Sequence, residues 1–452
     1  MTDALETLRT SIKALFEAKK YATLRDILST MNAADIASLF EDDISEEIIP
    51  LLYRLLPKEL AADTFVEMDT DTQEMLIKSF SDSELKEVID ELYVDDAVDL
   101  VEEMPANVVK RILLQADPEK RAMINTMLKY PEDSAGSIMT TEYVELRPRM
   151  TVEDAILSIR RSGIEKETIN NCYITSSARK LLGAVTIRGI IMAAPETTME
   201  QIMEENVISV GTMEDQETVA QHFSKYNLLA MPVVDGEDRL VGIVTVDDVL
   251  DVLEEEATED IEKMAAIVPA DKPYLKLSTF DLWKSRIPWL LLLMISATFT
   301  GMIITSFENA LSKFVILTAY IPMLMDTGGN SGGQASATII RGLSLKDIEF
   351  SDIFRVIWKE IRVALACGAT LAICNFAKLL LFDKVSVPVA LTICLTLIVT
   401  IFCAKLVGCT LPMIAYKIGF DPAVMASPFI TTIVDAISLL VYFQFASRIL
   451  SI

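Results

Sequence analysis

The stretch DPAVMASPFITTIVDAISLLVYFQFASR, residues 421–448, places one charged side chain in the middle of an otherwise apolar segment. Asp421 and Arg448 bound this stretch, and Asp435 is the charged residue between them. At about 1.5 Å of helix rise per residue, Asp435 lies roughly 20 Å from either end. The hydrocarbon layer of a bilayer is ~30 Å thick, so the carboxylate is expected inside the membrane. A charge there costs ~2.5 kcal/mol or more, so it faces a partner or water rather than lipid.

Two interpretations of Asp435 remain open from this stretch alone. The carboxylate is either paired inside a helix bundle, for instance with Lys405, or part of an ion pathway. The ion pathway is favoured.

The charge of the chain is divided unevenly between its two halves. Residues 1–271 carry 56 Asp and Glu against 25 Lys and Arg, a balance of −31, whereas residues 272–452 carry 10 against 15, a balance of +5. An acidic surface repels nucleic acid and attracts cations. With His222 as the single histidine, the sequence has little material for a His-based catalytic site, and we expect no enzyme. The N-terminal residues have no signal-peptide core, so we expect a cytosolic N-terminus.

Residues 1–132 are predicted to form an all-α superhelical domain. Apolar residues recur at three- and four-residue spacing, and prolines or acidic joints interrupt them repeatedly. Such joints are Leu56-Pro57, Met68-Asp69, Phe80-Ser81-Asp82, Met104-Pro105 and Ala116-Asp117-Pro118. Asp95 and Asp99 stand four residues apart, on one face of a helix.

Residues 133–197 and 198–255 form a tandem repeat. Each copy has a helix-forming stretch followed by a strand pattern and a Thr turn, LLGAVTIR at 181–188 and LVGIVTVDDVL at 240–250. The pattern resembles a pair of CBS domains, an α/β fold. Such pairs often bind ATP or another adenosine nucleotide, which the resemblance assigns here to Arg188, Thr245 and Asp248. The first copy departs from the pattern, with Gly189 where the aspartate would stand.

An acidic run, LEEEATEDIE at 253–262, predicts a connecting helix over 256–283, and a transmembrane domain follows over 284–452. Five spans with a cytosolic N-terminus put the C-terminus outside the cell inner (plasma) membrane, and the concentration of basic residues in the connections assigned to the inside agrees. Five charge-free apolar stretches, extended as helices, give the five predicted spans: Ile287–Phe307, Phe314–Met325, Val363–Ala377, Val385–Ala404 and Pro422–Val434 with its continuation past Asp435.

The second span contains IPMLMDTGGNSGGQ, residues 321–334, with one proline and four glycines. Such a helix is either broken or closely approached by a neighbour, and freed carbonyls at membrane depth must be buried or line a cavity. The alternative is that these small residues serve only to pack this helix against its neighbours. Asp326, Asn330 and Gln334 beside these glycines favour a pore or a binding site.

The order of these domains, together with the Pro…Gly-Gly-Asn-x-Gly motif and the Asp-Pro…Ser-Pro…Asp motif of the last span, resembles the MgtE family of magnesium channels. The resemblance implies a homodimer whose pore is lined by the second and fifth spans, with Asp435 recognising hydrated Mg²⁺. It also implies gating by internal Mg²⁺. Some relatives have Asn where this chain has Ser427. The implied pore residues are Asp326, Gly328, Gly329, Asn330, Ser427 and Asp435.

The resemblance also assigns a Mg²⁺-sensing role to the acidic half. Asp95 and Asp99 would face Asp248 and Asp251, and Asn227 stands where some relatives have Asp. The remaining regulatory metal residues implied are Asp215, Glu217, Glu256, Glu259, Asp260 and Asp421.

Two other functions remain as alternatives. One is a cation-coupled divalent metal exchanger, in which Asp435 or Asp326 relays a proton or sodium ion. The other is a membrane-anchored adenosine-nucleotide sensor without transport.

Overall fold

The computed structural model of the chain describes residues 2–163, 166–270, 274–425 and 427–450. It divides into two compact units, Met1–Leu253 and Glu254–Ile452. The boundary falls inside one helix, Val246–Met264.

Ten short helices open the first unit, as the spacing of prolines and acidic joints predicts. Pro57 and Pro105 immediately precede helices, and Asp117 precedes a helix whose first residue is proline. Asp69 caps its helix by accepting from the backbone N–H of Thr72 at 2.7 Å. These helices are α1 Thr2–Glu17, α2 Tyr21–Leu28, α3 Ala33–Asp43, α4 Ile49–Tyr53, α5 Lys58–Val66, α6 Thr70–Ser79, α7 Asp82–Glu91, α8 Val94–Glu103, α9 Ala106–Gln115 and α10 Pro118–Met127.

The repeat that follows has the same sheet topology in both copies. In each three-stranded sheet the first pair of strands is parallel and the second is antiparallel. The strands are β1 Tyr143–Leu146, β2 Thr168–Thr175, β3 Leu181–Thr186, β4 Val210–Gly211, β5 Ala230–Val234 and β6 Leu240–Thr245. The helices are α11 Val152–Ser162, α12 Ile187–Met192, α13 Met199–Ile202, α14 Gln216–Tyr226 and α15 Val246–Met264. This arrangement confirms the predicted α/β repeat.

The connecting segment differs from the single helix predicted over 256–283. Helix α15 continues without a break from the second repeat and ends at Met264, two residues before Ala266 adopts a positive φ of 57°. The next helix starts at Thr279, after Ser278 accepts a capping bond from the N–H of Asp281. The acidic composition therefore predicted the helix, but its end is decided by the turn ahead of Pro269.

The second unit is helical. Its helices are α16 Thr279–Ser306, α17 Glu308–Lys313, α18 Ile321–Ser344, α19 Ile353–Leu381, α20 Val387–Lys417 and α21 Ser427–Ile449, with 3-10 turns at Val315–Tyr320, Phe350–Asp352 and Ala423–Met425. By length and composition, four segments of the described chain are suited to cross a membrane: Thr279–Ser306, Phe350–Leu381, Val387–Lys417 and Ala423–Ile449.

Helix α18 corresponds to the second predicted span, but it begins seven residues after the start of the apolar stretch Phe314–Met325 and extends beyond its end. Its 24 residues suffice for a bilayer. Glycine and polar side chains beyond Met325 end the apolar pattern there, although the helix runs on to Ser344.

Candidate pore and cation-sensing sites

The glycines of α18 lie against two neighbouring helices. A Cβ added at Gly328 would lie 2.7 Å from Cγ2 of Thr400 on α20 and 2.8 Å from Cγ1 of Val434 on α21. At Gly329 it would lie 2.9 Å from Cγ2 of Thr431 on α21. Helix α18 is therefore continuous and closely approached rather than broken, and both glycines are buried where the helices pack.

We expect Gly328→Val to distort this helix packing and reduce Mg²⁺ flux strongly. The larger side chain must displace Thr400 and Val434, at a cost typical of overpacking, ~1–3 kcal/mol or more. Uptake by cells and thermal unfolding of the purified protein measure the two effects. Gly301→Val on α16 is the matched control, because a Cβ there meets no atom within 4 Å. Normal conduction and stability of Gly328→Val would contradict the close approach.

The opposite face of α18 is polar and exposed. Asp326, Asn330, Gln334 and Thr338 follow one another at intervals of four residues, and all four are exposed in the single chain. Four-residue spacing places them in one row along the helix. A polar row of this length cannot face hydrocarbon.

Asp435 is half-buried on α21, beside the packed contacts of α18. Asp326 is close enough for the two carboxylates to repel each other. Lys405 is buried and pairs with another residue, its Nζ lying 3.6 Å from Oε2 of Glu360. The structure thus contradicts the pairing of Asp435 with Lys405. Helix α21 begins at Ser427, whose side chain lies outside the described part of the chain.

A group of carboxylates from three parts of the first unit forms the first candidate cation site. Asp95 and Asp99 lie on α8, Asp248 lies near the start of α15, and Glu167 precedes β2. Asp95 is 7% exposed, and its Oδ1 is buried without a hydrogen-bond partner. One carboxylate oxygen of Glu167 is likewise buried without a donor. Buried anionic oxygens without donors are costly and call for a proton or a cation.

The pKa values of this group are raised. Burial, and then the charges of Asp96 and Asp248, raise the pKa of Asp95 well above its usual range. Burial and neighbouring carboxylates raise the pKa of Glu167 to about 8. Desolvation by the surrounding protein, and then the charge of Asp248, raise the pKa of Asp99 to about 8. Part of this side chain is nevertheless exposed to solvent. Burial raises the pKa of Asp248 to about 6 despite a hydrogen bond from Thr245.

The arrangement fits a hydrated cation. Among the described residues, no three carboxylate, thiol or imidazole groups stand close enough together to form a direct metal shell. Mg²⁺ dehydrates reluctantly and usually keeps several waters, so carboxylates that reach it through water suffice. The unpartnered oxygen of Asp95 offers one such acceptor. Sequence reasoning missed both Asp96 and Glu167 here. Asp96 follows Asp95 directly in the sequence and could have been found from that, whereas Glu167 comes near Asp95 only through the fold.

We expect the stability of the protein in EDTA to fall as pH rises from about 4 to about 8. The folded state holds protons on Glu167 and Asp99, with pKa values of about 8, more tightly than the unfolded chain. The stabilisation from these protons is complete below the unfolded pKa values and is lost as pH passes the folded ones. Thermal unfolding across this range measures the effect, and added Mg²⁺ should restore more stability at pH 8 than at pH 5. An equal gain at both pH values would contradict cation binding here.

A second cluster joins the end of α15 to the start of the last membrane segment. Lys263 Nζ lies 2.6 Å from Oε1 of Glu259 and 2.7 Å from Oδ2 of Asp421. Asp260 accepts from the hydroxyl of Ser344 at 3.3 Å. Burial, and then the charge of Asp421, raise the pKa of Asp260. The structure thus brings together three of the regulatory residues implied by the resemblance, and adds Lys263, which the sequence reasoning missed despite its i,i+4 spacing from Glu259.

The remaining predicted regulatory residues are Asp215, Glu217, Asp251 and Glu256. Asp215 is exposed, and its Oδ1 accepts from the backbone N–H of Glu217 at 3.0 Å, at the start of α14. Glu217 accepts from Gln221 at 3.3 Å. Asp251 is exposed and Glu256 is half-buried, both on α15.

The candidate nucleotide residues show one local contact. Thr245 Oγ1 donates to Oδ2 of Asp248 at 2.6 Å, as in the first turn of a capped helix. Arg188 is exposed on α12.

Family models match three parts of the chain. Residues 31–133 match the MgtE intracellular N domain, residues 135–196 and 199–255 match the CBS domain, and residues 321–445 match the MgtE divalent cation transporter model. The magnesium transporter MgtE of Thermus thermophilus is 36% identical over 98% of this chain and 99% of its own length. The chain belongs to the MgtE family. The magnesium transporter MgtE of Bacillus subtilis is 31% identical over 95% of this chain and 94% of that protein.

Two solved structures resemble about half of this chain. The cytosolic domain of the Mg²⁺ channel MgtE in complex with ATP is 35% identical, with a TM-score of 0.52, and covers 54% of this chain and 99% of that one. The soluble part of a magnesium transporter is 29% identical, with a TM-score of 0.53, and covers 56% and 99%. The fold predicted from the sequence, a helical domain followed by tandem CBS domains and a helical membrane domain, is therefore confirmed.

Proposed function

We propose that the protein conducts Mg²⁺ through a pore lined by α18 and α21 of two copies, and that internal Mg²⁺ closes it. The exposed polar row of α18 beside Asp435 carries this proposal. In a bilayer such a row must face water, and a second copy related by a two-fold axis would enclose that water. Membership of a family of magnesium transporters supports the choice of ion.

The chemistry of the row suits hydrated Mg²⁺. Asp435 from each copy would supply two negative charges near the axis, and Asp326 and Asn330 add oxygen acceptors. A site that binds the water shell of Mg²⁺ avoids the cost of removing it. Binding through water also remains weak enough for the ion to leave, which conduction requires.

Closure by internal Mg²⁺ needs several sites. Moving a gate from 1:99 to 99:1 takes ~5.5 kcal/mol of differential binding. One site at tenfold its dissociation constant supplies ~1.4 kcal/mol, so about four or more sites must act together. The carboxylates around Asp95 and Asp248 and those around Glu259 and Asp421 would supply them, with Asp215, Glu217, Asp251, Glu256 and Asp260 as further candidates.

An adenosine nucleotide is the second ligand that we propose, at the second CBS copy. A related cytosolic domain was solved in complex with ATP. Thr245 and Asp248 are in hydrogen-bond contact, and binding of a phosphate or ribose would have to compete with that bond. Because Asp248 also belongs to the acidic cluster, nucleotide and cation binding would be coupled.

We further propose that the N-terminus is cytosolic and the C-terminus lies outside the plasma membrane. The excess of basic residues in the connections assigned to the inside supports this orientation.

Flux into liposomes tests the proposal against its two alternatives. Mg²⁺ entry without an opposing ion gradient is the expected result for a channel. Entry that requires a proton or sodium gradient would identify a coupled exchanger. Absence of any flux in liposomes that contain folded protein would leave a nucleotide sensor.

A further inference from the structure

We propose that Lys263 is a built-in cation that competes with Mg²⁺ for Glu259 and Asp421, and so sets the Mg²⁺ concentration to which this cluster responds. The inference rests on the proposed regulatory role of these two carboxylates. Lys263 belongs to none of the motifs identified in the sequence.

The geometry places the ammonium group between two separate segments. Its Nζ lies 2.6 Å from Glu259 on α15 and 2.7 Å from Asp421, ahead of α21. The Lys263 side chain is 23% exposed, so the ion pairs are partly shielded from water. Beside them, Met264 packs against Ile340 and Ala423. The lysine thus links the end of α15 to the segment that precedes α21.

Each carboxylate oxygen of Asp421 already has a donor in this arrangement. Oδ2 accepts from Lys263, and Oδ1 accepts from the backbone N–H of Ala423 at 2.7 Å. A hydrated Mg²⁺ at Asp421 must share these oxygens with the two donors, and the lysine is the donor that can move away because its side chain has rotatable bonds. A bound divalent cation would also be repelled by an ammonium that stayed in place. Binding of Mg²⁺ and release of Lys263 are therefore linked.

The exchange predicts opposite effects for two substitutions of Lys263. Methionine has a similar length without the charge, so Lys263→Met frees both carboxylates for the metal. The Mg²⁺ concentration that gives half of the full effect, the midpoint, should then fall about fivefold, as expected for the loss of a partly exposed ion pair. Arginine keeps the charge and can contact both carboxylates with separate N–H groups, so Lys263→Arg should raise the midpoint. A residue that acted only in packing would shift the midpoint in one direction or not at all.

Thermal unfolding and limited proteolysis of the full-length protein in detergent, titrated with MgCl₂, test the inference. In EDTA, Lys263→Met should be cleaved faster than wild type within α15, and saturating Mg²⁺ should remove that difference. Lys359→Met, at an exposed position on α19, is the control and should titrate like wild type.

The outcomes separate this inference from the proposed function. Wild-type protein that Mg²⁺ neither stabilises nor protects would overturn both. Wild-type protection together with an unchanged or higher midpoint in Lys263→Met would overturn the role of Lys263 alone. If Lys263→Met proves too unstable to purify, Lys263→Arg decides, because a midpoint equal to or below that of wild type overturns the competition.

Discussion

Replacing Asp435 with alanine is expected to reduce Mg²⁺ flux to background while leaving a folded protein. The carboxylate is half-buried beside the polar row of α18, and the lysine that was its candidate partner pairs with Glu360 instead. Removal of the charge therefore breaks no pair with Lys405, but it takes away the central acceptor for a hydrated cation. Mg²⁺ uptake by cells that depend on it, and flux into liposomes, measure the loss.

Asparagine at the same position separates charge from shape. Asp435→Asn keeps the size of the side chain but offers no negative charge, so most of the flux or its selectivity should be lost. Asp347→Asn, at an exposed position after α18, is a control that should conduct normally. Near-wild-type uptake by correctly assembled Asp435→Ala would remove Asp435 from the pore.

Neutralising Asp95, Asp248 and Glu259 together is expected to make closure by internal Mg²⁺ incomplete. The three substitutions act on both carboxylate clusters, and each is expected to weaken cation binding by ~1 kcal/mol. Losing ~3 of the ~5.5 kcal/mol needed to close the gate leaves a substantial open population at Mg²⁺ levels that close the wild type. Cells that carry the triple variant should accumulate Mg²⁺ beyond normal limits.

Open probability against internal Mg²⁺ is the decisive measurement for the triple variant. The matched control neutralises three exposed carboxylates elsewhere in the first unit, Glu91, Glu119 and Glu200, which changes the net charge equally. An inhibition curve of the triple variant that overlays wild type would mean that the acidic half only keeps the protein soluble.

The sequence by itself determined the order and type of the domains. Pro57 and Pro105 immediately precede helices and Pro118 is the first residue of one, because proline lacks the N–H that a helix interior needs but a helix start does not, and this effect is local. The tandem sheets follow from the repeated strand patterns LLGAVT and LVGIVT, each of which leads into a Thr turn and a helix. The membrane position of Asp435 likewise follows from the length of the apolar segment around it.

The tertiary structure decided which charged groups meet. Lys405 forms its ion pair with Glu360 and not with Asp435, because α19 packs on α20 and brings Glu360 to the lysine. Packing also assigns the two faces of α18, with Gly328 against α20 and α21 and Asp326 on the exposed side. Glu167 joins Asp95, and Lys263 joins Asp421, across separations in sequence that no local pattern encodes. Electrostatic partners are determined by distance in space, whereas helix ends and strand patterns are determined by neighbouring residues in the chain.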